Sequence, residues 1–340
     1  MNMMLLNKLS LGLKTVKARL TNERIPLVVS FAVTYRCNRH CQYCNWPTAD
    51  CEELSFHQAK EVLDKLVILG VKRLQFTGGE PFLRKDMAEL ISHAKNKNIN
   101  IFVCVNSNGK GVPEALERIK AVDMVCLSIE GPEEVHDAIR GKGSYQEVIC
   151  AAQAVRKNKI RLKFTSTLNK LNISSVEYLL GFARRFDTKV SFQILDTYCL
   201  GSKQENPLLP NSLEVKRVLQ DLLRFKGDPD YGRFIGNSRI GLLNLQGRKA
   251  QSFSRCASGR VLFRVTPNGY MYPCAAATFK GSGLENYAID LAHTDVKEVK
   301  DKLRAFHYTD LSCRCACTNR IEVNLLWNFN IGSLIDIIGL

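Results

Sequence analysis

Cys37, Cys41 and Cys44 fall within eight residues, directly after the apolar run at 28–33. Three thiolates can hold three irons of a cubane [4Fe–4S] cluster and leave the fourth iron without a protein ligand. An iron of that kind binds a substrate or cosubstrate, so three cysteines imply chemistry at the cluster. A fourth would imply a closed electron-transfer centre. Zinc is the alternative, but it usually takes four ligands in paired knuckles, and no fourth partner of that kind lies nearby. A second set follows at Cys256, Cys274, Cys313, Cys315 and Cys317. The remaining five of the thirteen cysteines are Cys51, Cys104, Cys126, Cys150 and Cys199. Their uneven spacing does not make a disulfide framework and fits metal binding in a reducing compartment.

Four further motifs sit where apolar runs end. Gly78, Gly79, Glu80 and Pro81 follow the second run, 34 residues after Cys44, and glycines let a backbone approach a ligand closely. Asn106 and Ser107 end the third run. Ser128 and Glu130 end the fourth, with Arg140 ten residues beyond Glu130, and arginine binds a carboxylate bidentately. Thr167 and Gln193 lie on the fifth and sixth, where ordinary strand-end polarity explains them equally well.

These residues need a scaffold. Runs at 28–33, 73–76, 101–105, 124–129, 162–167 and 190–195 alternate with amphipathic helical stretches. One covers 56–69 behind the candidate cap Ser55 and another covers 176–186. Six strand–helix units predict a parallel sheet with helices outside and chemistry at the C-terminal strand ends. The expected divisions are an N-terminal amphipathic helix at 1–25, the barrel at 26–210, a connecting helical segment at 211–255 and a cysteine-rich region at 256–340. In the first helix Leu5, Leu9, Leu13, Val16 and Leu20 share one face. That face suits either packing on the main domain or a membrane interface.

The C-x3-C-x2-C spacing, the Gly-Gly-Glu-Pro loop and the Ser128–Arg140 segment resemble the radical S-adenosylmethionine (SAM) superfamily. Cys256 and Cys274, with Gly269 between them in a hairpin turn at 266–269, resemble its SPASM and twitch extensions. The resemblance implies an α/β fold: a partial (β/α)6 TIM-like barrel with a small twitch-like iron–sulfur extension. It implies one SAM-binding [4Fe–4S] cluster on Cys37, Cys41 and Cys44. One auxiliary [4Fe–4S] cluster would draw on Cys256, Cys274, Cys313 and Cys317, with Cys315 as a substitute ligand and zinc as the alternative metal. SAM would contact Tyr43 through its adenine and Gly78, Gly79, Glu80 and Pro81 through its methionine amino group. Asn106 and Ser107 would reach the adenosine, Glu130 the ribose, and Ser128 and Arg140 the carboxylate. Thr167 and Gln193 would line the same chamber. A flavodoxin or ferredoxin would supply the electron that cleaves SAM to a 5′-deoxyadenosyl radical. Cys199, at the end of the sixth run, is the candidate hydrogen donor to a substrate radical. Cys104, Cys126 and Cys150 are expected at buried apolar positions.

Composition bounds the rest. The 340 residues are 45% hydrophobic and 24% charged, enough for a sizeable core. The net charge of +15 is scattered, with no run of five basic residues, which speaks against a nucleic-acid partner and for an acidic redox partner. No apolar run of eighteen residues predicts a transmembrane helix, and no secretory signal is evident. The cytoplasm is the expected compartment, with the first helix offering a peripheral contact at the inner membrane face. Fewer than thirty residues precede the first strand, which argues against a peptide maturase with a leading peptide-binding domain. The expectation is therefore an oxidoreductase or epimerase acting on a small sugar- or alcohol-type substrate. The alternatives are a membrane-surface enzyme of lipids or isoprenoids and a peptide-modifying maturase.

Overall fold

The computed structural model describes residues 3–49, 51–196, 204–246, 256–274, 285–305 and 318–328. In chain order the elements are α1 (Met3–Leu20), β1 (Val28–Thr34), α2 (Phe56–Leu69), β2 (Arg73–Gly78), α3 (Met87–Lys97), β3 (Phe102–Ser107), α4 (Val112–Ala115) and β4 (Met124–Ser128). Then come α5 (Glu133–Arg140), α6 (Ser144–Lys157), β5 (Arg161–Leu168), α7 (Val176–Arg185), β6 (Val190–Ile194), α8 (Ser212–Gly227) and α9 (Arg239–Gln246). The last are β7 (Leu262–Val265), β8 (Tyr270–Tyr272), β9 (Ile289–Asp290), α10 (Val296–Ala305) and α11 (Thr318–Trp327).

Among the described residues one sheet runs β6-β5-β4-β3-β2-β1-β7-β8-β9. β1 to β6 pair in parallel with helices between them, which is the partial barrel. The second region does not stand apart from it: β7 pairs with β1 in parallel, Val28 opposite Leu262 and Phe31 opposite Val265. β8 and β9 continue antiparallel. The β7–β8 turn is the expected one, with Gly269 at φ 84° and its N–H bonded to Thr266 O at 2.9 Å.

Alternation along each strand divides the sheet's faces. Leu74, Phe76, Val103, Val105, Val125, Leu127, Phe164 and Phe192 are buried in the core under the helices. Phe164 meets Phe182 and Phe186 at centroid distances of 5.0 and 5.6 Å. The residues between them, such as Arg73, Gln75, Asn106, Ser128, Lys163 and Gln193, face the inner side and are half-buried. Helix ends follow local chemistry. Ser55 and Gln58 form a reciprocal capping box on α2, and Gly70 ends it in the left-handed region. Asn211 and Glu214 cap α8 likewise.

Two sequence expectations change. The α1 row is not the packed face: Leu13 and Leu20 are 71% and 75% exposed, and Leu9 is exposed too. Thr15 and Ala18 are the buried positions, and Ala18 packs with Leu11 against Trp327 of α11. Small residues let that helix sit close, so the larger leucines point away. Cys150 is exposed rather than buried. The inward stripe of α6 is Tyr145, Val148, Ala151, Ala152 and Val155, and Cys150 lies on its far side. No helix among the described residues is long and apolar enough to cross a membrane.

Candidate iron–sulfur and SAM site

The loop leaving β1 carries Cys37, Cys41 and Cys44, all half-buried and free of disulfides. The Cys44 N–H bonds to Cys41 O at 2.9 Å, and the Gln42 N–H reaches Ile139 O at 3.1 Å, fixing the loop to α5. Burial raises the Cys37 thiol and pushes Cys44 up to about 12. The thiolate forms therefore need a cation beside them. Among the described residues, no three metal-binding side chains converge on a single-ion position. Three thiolates on one loop fit a cubane, in which each takes a different iron. The residues thus fit the cluster. Two donors already point at the sulfurs: Arg140 Nη1 lies 3.8 Å from Cys41 Sγ and Asn108 Nδ2 lies 3.9 Å from Cys37 Sγ. The stacked pair Tyr35 and Trp46, 4.4 Å apart, belongs to the apolar cluster against which both Cys44 and Cys51 pack.

Glu130 anchors one side. It has no solvent exposure. Its Oε1 accepts from Tyr43 Oη at 2.7 Å and from Arg140 Nε and Nη2 at 2.9 and 2.6 Å. Its Oε2 accepts from Thr167 N at 3.0 Å, Asn172 Nδ2 at 3.1 Å and Ser166 Oγ at 3.3 Å. A buried carboxyl held by so many donors is fixed in place and orients the guanidinium. Tyr43 is itself buried among Ile139, Leu195 and Leu208. Glu130 N donates to His136 Nδ1 at 3.1 Å. Burial, and Arg140 after it, push that imidazole down to about 3, so it stays neutral.

Glu80 anchors the other side. The Gly78–Gly79 turn crosses the β1 exit so closely that a Cβ on either would stand 2.0 Å from Thr34 O or 2.1 Å from Arg36 O. Gly78 also has φ 150°. Pro81 opens the short turn of helix that follows. Glu80 accepts from Asn108 N at 2.8 Å, Ser107 Oγ at 2.9 Å and Phe82 N at 3.3 Å. Burial raises its carboxyl to about 7 against these hydrogen bonds.

The sequence-derived residues converge on the C-terminal strand ends. Gln193 Nε2 donates to Thr167 Oγ1 at 2.6 Å, and Ser128 pairs with Thr165 in register. Ser107 is turned inward to Glu80, while the buried Oδ1 of Asn106 has no hydrogen-bond partner. Cys256 and Cys274 flank the β7–β8 hairpin, half-buried and buried. Cys199, Cys313, Cys315 and Cys317 lie outside the described residues. Asn108 belongs to the Asn106-Ser107-Asn108-Gly109 motif that ends the third run. Sequence reasoning missed Ser166, Asn172 and His136, none of which carries a signal in its spacing.

A profile of the radical SAM superfamily matches residues 31–183. The mycofactocin maturase MftC of Mycolicibacterium smegmatis is 29% identical over 260 residues, 74% of this chain and 65% of that protein. The chain thus spans just under two thirds of its length. The PqqA peptide cyclase of Rhizobium meliloti is 26% identical over 278 residues, covering 77% of this chain and 70% of that protein. The structure of Streptococcus suis SuiB bound to the precursor peptide SuiA aligns with 92% of this chain and 75% of SuiB, at TM-score 0.66 and 15% identity, a likeness of fold. These findings correct the expected substrate. The relatives are a maturase and a peptide cyclase, so neither a sugar- or alcohol-type substrate, oxidised or epimerised, nor a lipid has support. The short stretch before β1 carries no information about the substrate.

Proposed function

The chain belongs to the radical SAM superfamily, and we propose that it is a peptide-modifying member of it. It is an enzyme that uses SAM with a [4Fe–4S] cluster, and its SPASM-type relatives carry auxiliary clusters. The observation that carries the peptide reading is that a maturase and a peptide cyclase each match this chain over 260 residues or more. A match of 260 residues to MftC cannot fit inside the 31–183 segment of the family profile, so it takes in sequence outside the common barrel core.

In this reading Cys37, Cys41 and Cys44 hold the barrel cluster. When bound, the reduced cluster supplies one-electron cleavage of SAM and hydrogen abstraction from a C–H bond. Arg140, oriented by Glu130, and Ser128 take the SAM carboxylate, while the Glu80 loop takes the amino group. Tyr43 fixes the cluster loop through its bond to Glu130. Cys256 and Cys274 supply two ligands to the auxiliary cluster. An acidic flavodoxin or ferredoxin provides the electron. The exposed row Leu9, Leu13 and Leu20 beside Lys17 supports a peripheral contact with an anionic membrane.

The test is anaerobic. The reconstituted protein receives SAM, a strong reductant and the low-molecular-mass fraction of a source-cell extract, untreated or digested with peptidase. The untreated fraction should stimulate 5′-deoxyadenosine formation and yield a peptide of altered mass. Cys41→Ala should abolish both. Stimulation that survives peptidase digestion would overturn the peptide reading.

A further inference from the structure

The inner face of the sheet carries polar and basic side chains beyond those assigned to SAM. Parallel barrels normally fill this space with apolar side chains. Here the inward positions of β2 to β6 include Arg73, Gln75, Asn106, Ser128, Lys163, Thr165 and Gln193, all half-buried. Half-burial on this face beneath the strand ends leaves these polar groups partly accessible. None of β1 to β7 contains an aspartate or glutamate, yet three basic residues face this side besides Arg161, which is exposed at the start of β5.

One of them, Arg264, is engaged above the Trp46 ring at 5.1 Å. The other two flank a pair of thiols at the floor. Arg73 lies over the Phe102 ring at 5.0 Å and near the Cys104 thiol, which in turn lies near Cys126. Cys126 stands opposite Lys163 in register. Asn106, with its unpartnered Oδ1, stands opposite Cys126 from the other strand. Among the described residues Lys163 has no hydrogen-bond or ion-pair partner. Burial, and then Arg73, lower its amine, while Cys126, Cys104 and Glu322 act in the opposite sense. Glu322, on α11, accepts from Ser238 N through Oε1 at 3.0 Å and leaves Oε2 buried without a hydrogen-bond partner among the described residues. Two cations around two thiols thus face this one carboxylate, which leaves a positive charge that a bound anion would compensate.

We propose that Arg73 and Lys163 form an anion-binding floor that receives a carboxylate of the substrate, with Asn106 accepting an N–H from the same molecule. This rests on the peptide reading above. Lys163 lies four residues below Thr167, about 13 Å along the strand. A peptide's C-terminal carboxylate or an acidic side chain would enter from the mouth and stop at this floor.

Affinity selection with mass spectrometry tests it, using the cluster-reconstituted full chain with SAM. The probes are randomised tetrapeptides made as free acids and as C-terminal amides, each with and without Asp and Glu, and butyrate as a bare carboxylate. Carboxylate-bearing peptides should be retained at least about tenfold over neutral ones, the worth of one charge-assisted hydrogen bond. Lys163→Gln and Arg73→Gln should erase that preference. Lys163→Met, which keeps the apolar stem, serves if the glutamine variant does not fold. Preference that follows the free acid assigns the C-terminus, and preference that follows Asp or Glu assigns a side chain. Peptides retained regardless of charge would overturn the floor and leave the peptide reading standing. Butyrate binding that needs Lys163, without peptide retention, would keep the floor and sink the peptide reading. Retention of neither probe would overturn both.

Discussion

Glu130 and Glu80 are both buried, yet they differ in electrostatic role. Glu130 faces a guanidinium, so removing it strands a buried positive charge. Glu130→Ala should lower the unfolding free energy by about 3–5 kcal/mol, measured by chemical denaturation. Glu80 accepts only from neutral donors, and burial lifts its carboxyl from 4.5 to about 7. Its stabilising protonated form is therefore fully present below 4.5 and is lost as pH rises through about 7. Thermal melts of the wild type should fall relative to Glu80→Gln between those limits, by an amount corresponding to about 3 kcal/mol. A constant difference across that range would refute the assignment. The residues that make these sites were unevenly legible. Cys37, Cys41, Cys44, Gly79 and Arg140 carry their chemistry in type and spacing. Ser166 and Asn172 reach Glu130 only because β5 and its exit turn fold against β4, and a short polar residue at a strand end gives no sign of its target.

At the scale of elements, two glycines behave oppositely. In Gly79→Ala the new Cβ would meet the Arg36 carbonyl, displacing the loop that carries Glu80. Loss of 5′-deoxyadenosine formation of about 10²-fold is expected in the SAM-cleavage assay. Gly181, inside α7, has open space where a Cβ would go, so Gly181→Ala should stabilise by about 0.5–1 kcal/mol in denaturant titration. The exposed α1 row predicts a third outcome: the chain co-sediments with anionic vesicles, and Leu13→Glu with Leu20→Glu together prevents this without changing the melting temperature. Strands and helices could be read from the sequence because inner-sheet runs and capping signals are local. The packed face of α1 could not, since Ala18 buries by fitting closely against Trp327 rather than by being large. Nor could the pairing of β7 with β1, which leaves no periodic trace in either segment.

At the scale of the molecule, that pairing sets the order of assembly. Val28 pairs with Arg73, 45 residues on, and with Leu262, 234 residues on. The first contact closes early during synthesis and the second only when most of the chain exists. Until then the strand that delivers the cysteine loop presents one bare edge, which is a template for association with other chains. A chain ending at residue 255 should therefore aggregate on expression, as light scattering would show, although it retains every residue of the barrel. A maturation system that inserted iron and sulfide before β7 arrives would be loading a half-finished edge, so metallation belongs late in the chain's biogenesis.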